Sequence, residues 1–387
     1  ANLIGSTSLY DLPYAFMKVA NHYMPTYFDL IDMTDPDTMQ AFDFEIEVKN
    51  DADLISLVSK ELKIKQSLKI TGRLNTVGNN FLLNSDTTNW SIGSAHFVRN
   101  SIQIYPTKND LVVKTSAEAV KLSDNFMLEN FTGIADVRHD SVVTSFNWLN
   151  ETELSDSGLV NLTLYRTPDV PWNVMLNTLN VRIAGVQWTS KKKAQLHADS
   201  NQLSVNDLEL ASETGRITCS GMLNQHAKSN LYFIVKDLNM NYLSNFGVMK
   251  QDVQGMFQGQ VDLYYQNQAI LVDADVELDS LVVDGFDIGS VIGNTKYNGL
   301  TEAVEVDLNL SYRGNERFKI VGDYYPSKTE KQLELESSFQ DFNIATLEPF
   351  IAEYASELTG MVDGSISITG MLTEPDLNGG LEIRDFN

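Results

Sequence analysis

One passage of this sequence occurs twice, and the repeat limits the possible folds more than any single side chain does. Residues 236–246, KDLNMNYLSNF, return at 340–350 as QDFNIATLEPF, with Asp, Asn, Leu and Phe in the same places. The glycine-containing stretches that follow, QGMFQGQVDL and TGMVDGSISI, also match. Self-similarity at a fixed period is typical of an array whose units bury their apolar faces by stacking. We therefore predict a duplicated module of roughly a hundred residues.

Apolar and polar residues alternate from about residue 43 onward. In AVEVDLNLSY, residues 303–312, every second side chain is apolar, which is typical of a half-buried strand. Turn-forming residues separate such runs, so the pattern predicts a long antiparallel meander. Helical spacing is confined to short stretches, chiefly 8–24 and 345–358. The expected fold is mostly β, with a few short helices.

The 387 residues are 43% hydrophobic, and no break in composition divides them. We expect one continuous array rather than one compact β domain. Its predicted parts are a helix-containing lead-in at 1–42, β modules at 43–230, a repeat module at 231–335 and the start of the next module at 336–387. The amino end has no signal-peptide pattern, and the chain is expected to be a piece of a longer protein.

The net charge of −24 argues against one class of partner. A nucleic-acid backbone is repelled by it, so we predict no nucleic-acid binding.

No apolar run reaches the ~20 residues that span a bilayer. Cys219 is the single cysteine and has no internal disulfide partner; we expect a buried free thiol.

Catalytic and metal-binding patterns are missing from the sequence. The five histidines are scattered without metal-ligand spacing, and the glycines at 255 and 259 precede strands rather than a phosphate-binding helix. Asp273, Asp275 and Glu277 form an acidic stripe, which fits either a solvated outer face or a calcium site. We predict no enzyme activity, no cofactor and no metal.

The predicted sheet has one apolar face and too little helix to cover it. It therefore folds on itself, either as a dry sandwich or as an open trough that holds something apolar, and periodicity does not choose between them. A slip of one residue in register also inverts every assignment of faces. The residues predicted to line the trough are Val272, Ala274, Val276, Leu278, Val304, Val306, Leu308, Leu310, Ile366 and Ile368.

The closing stretch, LTGMVDGSISITGMLTEPDLNGGLEIRDF, resembles a known family. A glycine pair opens a strand, a further glycine closes it, and a proline and a glycine precede the next strand. The residues concerned are Gly360, Gly364, Gly370, Pro375 and either Gly379 or Gly380, with Gly255 and Gly259 as the counterparts of the first pair. This pattern is similar to that of TamB-like proteins, the translocation and assembly module subunit, within the wider AsmA-like superfamily. The high asparagine and tyrosine content resembles that of family members from Bacteroidota.

The resemblance implies an elongated, taco-like antiparallel β-groove in the periplasm, belonging to a protein anchored in the inner membrane. Such a segment is expected to shield phospholipid acyl chains during transport between the inner and outer membranes. An outer-membrane barrel of the TamA type is the implied partner, through regions outside this chain. The alternative role is a scaffold or chaperone that pairs a strand edge with outer-membrane protein clients.

Overall fold

The structure is a computed structural model. It describes residues 2–6, 10–28, 39–48, 61–64, 67–123, 126–151, 156–167, 170–242, 252–348 and 358–385. The chain divides into two compact units, Ala1–Asp199 and Ser200–Asn387. The module boundaries expected from the sequence stay a prediction.

The described residues of the first unit form one helix and fourteen strands. They are β1 (Asn2–Ser6), α1 (Leu12–Tyr23), β2 (Ala41–Val48), β3 (Leu62–Ile64), β4 (Leu68–Asn75), β5 (Asn80–Ser85), β6 (Thr88–Ile92), β7 (Ala95–Pro106), β8 (Leu111–Lys121), β9 (Met127–Arg138), β10 (Ser141–Leu149), β11 (Ser157–Thr167), β12 (Val170–Ile183), β13 (Val186–Ser190) and β14 (Ala194–Ala198).

In the second unit, the part of the chain that the structure describes forms eleven strands and a short 3-10 turn. They are β15 (Gln202–Ser212), β16 (Gly215–Asn224), β17 (Asn230–Asn239), β18 (Val253–Gln266), β19 (Ala269–Val283), β20 (Phe286–Asn298), β21 (Ala303–Tyr312), β22 (Asn315–Tyr324), β23 (Leu333–Asn343), the 3-10 turn (Ile344–Leu347), β24 (Met361–Met371) and β25 (Glu374–Arg384). The predicted mostly β, antiparallel fold with few helices is confirmed.

The second unit is a continuous meander. Each strand from β15 to β24 pairs antiparallel with the next strand along the chain. Short turns join most of these strands, as the alternating pattern and its turn residues predict, whereas residues 240–252 separate β17 from β18 and residues 344–360 separate β23 from β24. Because consecutive strands are neighbours, the apolar side of one strand continues directly onto the apolar side of the next.

Helix α1 covers part of the apolar face of the first unit. Pro13 stands in its first turn, where a missing N–H costs nothing. Ala15 and Val19 are buried in a core with Phe42 and Leu74 from β2 and β4. The helix predicted at 8–24 is therefore present, over Leu12–Tyr23. Of the stretch predicted at 345–358, the 3-10 turn is seen, and most of the rest lies outside the described residues.

The turn after α1 is fastened to the β9–β10 hairpin. Asp140, in the left-handed conformation with φ 60°, accepts hydrogen bonds from the backbone N–H of Thr26 at 2.8 Å and from its hydroxyl at 2.7 Å. Arg166 donates to the Thr26 carbonyl at 3.1 Å and lies over the Tyr27 ring.

Within the described ranges, no helix has the length and apolar character needed to cross a membrane.

The two copies of the repeated passage share their hydrogen bonds. The Asn239 side chain accepts from the N–H of Asn241 at 3.0 Å, and the Asn343 side chain accepts from the N–H of Ala345 at 3.1 Å. In both copies the backbone N–H that follows the asparagine donates to a glycine carbonyl, Met240 to Gly255 and Ile344 to Gly360. Gly360 precedes β24, but Gly255 and Gly259 lie within β18 and not before a strand as the sequence predicts. The Asp-x-Asn pattern of the sequence therefore marks one local structure used twice.

We expect Leu74→Ala to destabilise the first unit by about 3 kcal/mol, because Leu74 is 0% exposed and its removal leaves a cavity between α1 and the sheet. Leu82 on β5 is 37% exposed and is the matched control; Leu82→Ala is expected to cost below ~1 kcal/mol. Denaturant unfolding with hydrogen exchange of β2 and β4 measures both. Equal losses for the two variants would contradict this account of the core.

Candidate functional site

The strand register of the second unit aligns apolar residues in rows that run across the sheet. Directly opposite residues of antiparallel strands point to the same face, so a chain of partners defines one face. The row through Val276 crosses every strand from β15 to β25. Its members are Leu210, Ile217, Val235, Gly259, Val276, Gly293, Leu308, Ile320, Ser337, Ile366 and Gly379.

Three further rows lie on the same face, because they differ from the first by two or four positions along the strands. The row through Ala274 contains Leu208, Cys219, Phe233, Val261, Ala274, Thr295, Val306, Gly322, Leu335, Ile368 and Leu377. The row through Val272 continues to Val304, Tyr324 and Leu333, and the row through Leu278 continues to Val291, Leu310 and Phe318. These four rows are called the apolar face below.

All ten residues that the sequence analysis chose for a trough lie on this apolar face. Val276, Leu308 and Ile366 share one row, and the remaining seven are distributed over the other three rows. Each of the ten is half-buried. The middle of the face is therefore not sealed under a second layer in the way that a dry core is. Their role in binding lipid stays a prediction.

Buried residues lie at one border of the apolar face. Met240, Val253, Leu281, Val283 and Ile288 form a core against which Leu278 and Leu310 pack. This border begins at the β-bulges of three strands, β17, β19 and β23. The bulges leave Asp237, Ser280 and Asp341 in left-handed conformations, with φ of 52°, 53° and 49°. Bulges bend a strand and increase its twist, so they fold this border of the sheet inward.

The opposite face of the same strands is polar and acidic. One of its rows contains Gln260, Asp275, Asn294, Asp307, Val321, Glu336, Ser367 and Asn378. Lys319 pairs with Asp307 at 3.3 Å on this side. The acidic stripe of β19 belongs here as well, with Asp273 and Asp275 in adjoining rows. Among the described residues, no group of three or more His, Cys, Asp or Glu side chains is placed to hold a metal ion.

Glycines let the strands and the side chains of the apolar face approach closely. A Cβ at Gly293 would lie 2.6 Å from Leu308 Cδ2 and 2.9 Å from Val276 Cγ2, so these two side chains fill the space above that glycine. Gly259, Gly364, Gly370 and Pro375 of the sequence motif also fall in the rows of this face. The motif residues are therefore structural parts of the face, while Gly255 and Gly360 accept the repeated backbone bonds at its border.

The side chain of Cys219 departs from expectation in one respect. It is half-buried rather than buried, in the row between Leu208 and Phe233. Burial of this degree still raises the pKa of the thiol. The alternating pattern placed the residue on the correct side of its strand, but the depth of burial depends on what lies across the face.

A cavity of about 410 Å³ lies at the border of the apolar face, and the sequence pattern did not predict it. It lies between the start of β20, the β21–β22 turn and the 3-10 turn, and its lining includes Leu310 and Phe342 together with Arg313 and Arg317. Arg317 donates to the Asp341 carboxylate at 3.0 Å, and Arg384 donates to the same carboxylate at 2.7 Å. Residues so far apart in sequence carry no local signal of a shared site.

Comparison with known families agrees with this geometry. A family profile described as "TamB, N-terminal domain" matches residues 159–383, more than half of the chain. The chain belongs to the TamB family. The match reaches further upstream than residues 231–387, on which the sequence resemblance mainly depended. Neither a curated protein nor a solved structure gave a significant match.

The part of the chain that matches the TamB profile includes the apolar face. The second unit lies within the matched region except at its last few residues, so the apolar face is part of the TamB-type sequence. The family is one of transport and assembly modules. The bacterial phylum suggested by the composition stays a prediction.

Proposed function

We propose that this TamB-family chain is part of a bridge-like lipid-transfer protein, and that its apolar face covers phospholipid acyl chains as they pass between the inner and outer membranes. We further propose a periplasmic location for this segment. We also propose an inner-membrane anchor and a TamA-type partner barrel, both engaged through regions outside this chain. These assignments follow the family. No catalytic role is proposed for any residue.

The observation that carries the proposal is the continuity of the rows. The row through Val276 runs from β15 to β25 without a charged residue, and the row through Ala274 does the same. Their side chains are mostly half-buried, which leaves apolar surface for a ligand to cover. Exposed apolar surface on this scale is costly in water and marks interaction sites.

The energetics favour a continuous floor over a single pocket. Each methylene removed from water contributes about 0.8 kcal/mol, so a sixteen-carbon chain is held out of water by roughly 12 kcal/mol. Release into the aqueous space is therefore slow. A lipid that stays on the apolar face loses little of this energy at any step, because each strand offers a similar aliphatic row. The opposite face is polar and acidic and gives no competing apolar track.

The test is the lipid content of the chain purified without detergent from a Gram-negative host. We expect native mass spectrometry and solvent extraction to find bound phospholipid. A folded but lipid-free protein would overturn the proposal. The alternative role, pairing of a strand edge with outer-membrane protein clients, stays a prediction; photocrosslinks from strand edges to client strands, without bound lipid, would favour it.

A further inference from the structure

The cavity at the border of the apolar face combines apolar and charged walls. Phe286, Ile288 and Leu310 contribute apolar surface from β20 and β21, and Phe342 and Ala345 contribute it from the end of β23 and the 3-10 turn. The 3-10 turn comes into contact with β20, which stands three strands away from β23 in the meander. The chain thus closes over the ends of β21 and β22, and this closure creates the cavity.

Four charged residues line the same cavity. Arg313 is exposed on the β21–β22 turn, with its guanidinium 5.2 Å from the centroid of the Tyr312 ring. Asp287 is exposed on β20. Arg317 and Asp341 form an ion pair at 3.0 Å, and the Arg317 side chain is only 22% exposed. The cavity therefore has two positive and two negative groups in a chain whose net charge is −24.

This balance distinguishes the cavity from the acidic surface around it. A ligand with net negative charge is repelled by the whole chain, whereas a zwitterion has no net charge to repel. The guanidinium of Arg313 is suited to a phosphate, since arginine presents several N–H donors in one plane. The carboxylate of Asp287 is suited to an ammonium group. Leu310 connects the cavity with the row through Leu278, so an amphiphile bound here has an apolar path for its tail.

We propose that this cavity binds the headgroup of a zwitterionic phospholipid, with the phosphate at Arg313, the ammonium at Asp287 and the acyl chains on the apolar face. The inference rests on the proposed function and adds a lipid preference to it. The Arg317–Asp341 pair has a positioning role, because it joins β22 to the bulge of β23 beside the cavity. Cavities of this size, around 300–1,000 Å³, are usual for small ligands.

The test compares lipids that differ only in their heads. The purified chain, stripped of lipid, is offered phosphatidylethanolamine, phosphatidylglycerol and diacylglycerol with identical acyl chains, and bound lipid is quantified by mass spectrometry. We expect phosphatidylethanolamine to bind most tightly. Arg313→Gln is expected to reduce the preference for either phospholipid over diacylglycerol by about tenfold. Asp287→Asn is expected to remove the preference for phosphatidylethanolamine over phosphatidylglycerol.

The control variant is Lys328→Gln. Lys328 is also a cation over a tyrosine ring, 3.2 Å from the Tyr325 centroid in the turn between β22 and β23, but it does not line the cavity. Lys328→Gln removes one positive charge, as Arg313→Gln does, and its lipid preferences are expected to match those of the wild-type chain. Circular dichroism confirms that each variant is folded.

The outcomes separate this inference from the proposed function. A wild-type chain that binds all three lipids equally, or an Arg313→Gln chain with the wild-type preference, overturns the headgroup site and leaves the apolar face intact. A wild-type chain that binds none of the lipids overturns the proposed function itself. Displacement of bound phosphatidylethanolamine by inorganic phosphate would identify a site for free anions, which also overturns the inference.

Discussion

Leu308→Asp is expected to reduce the phospholipid that co-purifies with the chain by at least tenfold, while the protein stays folded. Leu308 lies in the row through Val276, and its Cδ2 atom occupies the space above Gly293. An acyl chain that crosses a carboxylate must strip water from the charge, and the cost of doing so exceeds the gain from covering a few methylenes. The half-buried position lets the new carboxylate keep water in the lipid-free state.

Ile292→Asp is the matched control for this experiment. Ile292 stands on β20, opposite Glu277 and Asn309 on the polar face, and it is 49% exposed. The same charge is added to a neighbouring strand but on the other side of the sheet, so bound phospholipid is expected to stay at the wild-type level. Native mass spectrometry and lipid extraction measure both variants. Wild-type lipid content in a folded Leu308→Asp chain would count decisively against transport along this face.

Gly322→Ala is expected to lower the free energy of unfolding of the second unit by more than ~3 kcal/mol. Gly322 is in the row through Ala274, on β22, with a φ of 140° that side chains rarely adopt. A Cβ at this position would lie 2.1 Å from the Glu334 carbonyl oxygen and 2.9 Å from Leu335 Cα, both backbone atoms of β23. The contact is relieved only if β22 and β23 separate locally.

Denaturant unfolding and hydrogen exchange measure this effect, with faster exchange expected in β22 and β23. Gly380→Ala is the control, because a Cβ at Gly380 meets no atom within 4 Å. Its stability is expected to change by less than ~0.5 kcal/mol. If both variants unfold at the same denaturant concentration, close approach of the strands at Gly322 is not what requires glycine there.

The same contrast between close approach and open space explains why the glycine motif was only partly readable. The sequence left Gly379 and Gly380 as equal candidates for the last motif position. In the structure a Cβ at Gly379 would lie 2.2 Å from the Ser365 carbonyl oxygen, while the position of Gly380 is open. Two adjacent glycines are indistinguishable in a pattern, and they differ only in what the neighbouring strand places above them.

What the sequence by itself determined is the local and periodic part of this protein. Alternation in β19, β21 and β24 grouped Val276, Leu308 and Ile366 each with the other apolar residues of its own strand, because a strand sends every second side chain to the same side. The pairing register then placed these groups on one face. The repeated Asp-x-Asn passage likewise identified a turn that recurs with the same hydrogen bonds. These features depend on neighbours in sequence, and consecutive strands pair with each other.

Only the tertiary structure decided depth and closure. The bulge at Asp341 shifts the register of β23, and the following 3-10 turn comes into contact with β20, which places Phe342 and Ala345 in the same cavity as Asp287 and Arg313. Cys219 is half-buried for the same kind of reason, since exposure depends on what packs across the face and not on the strand that carries the residue. Contacts between strands far apart in sequence set both properties, and periodicity contains no record of them.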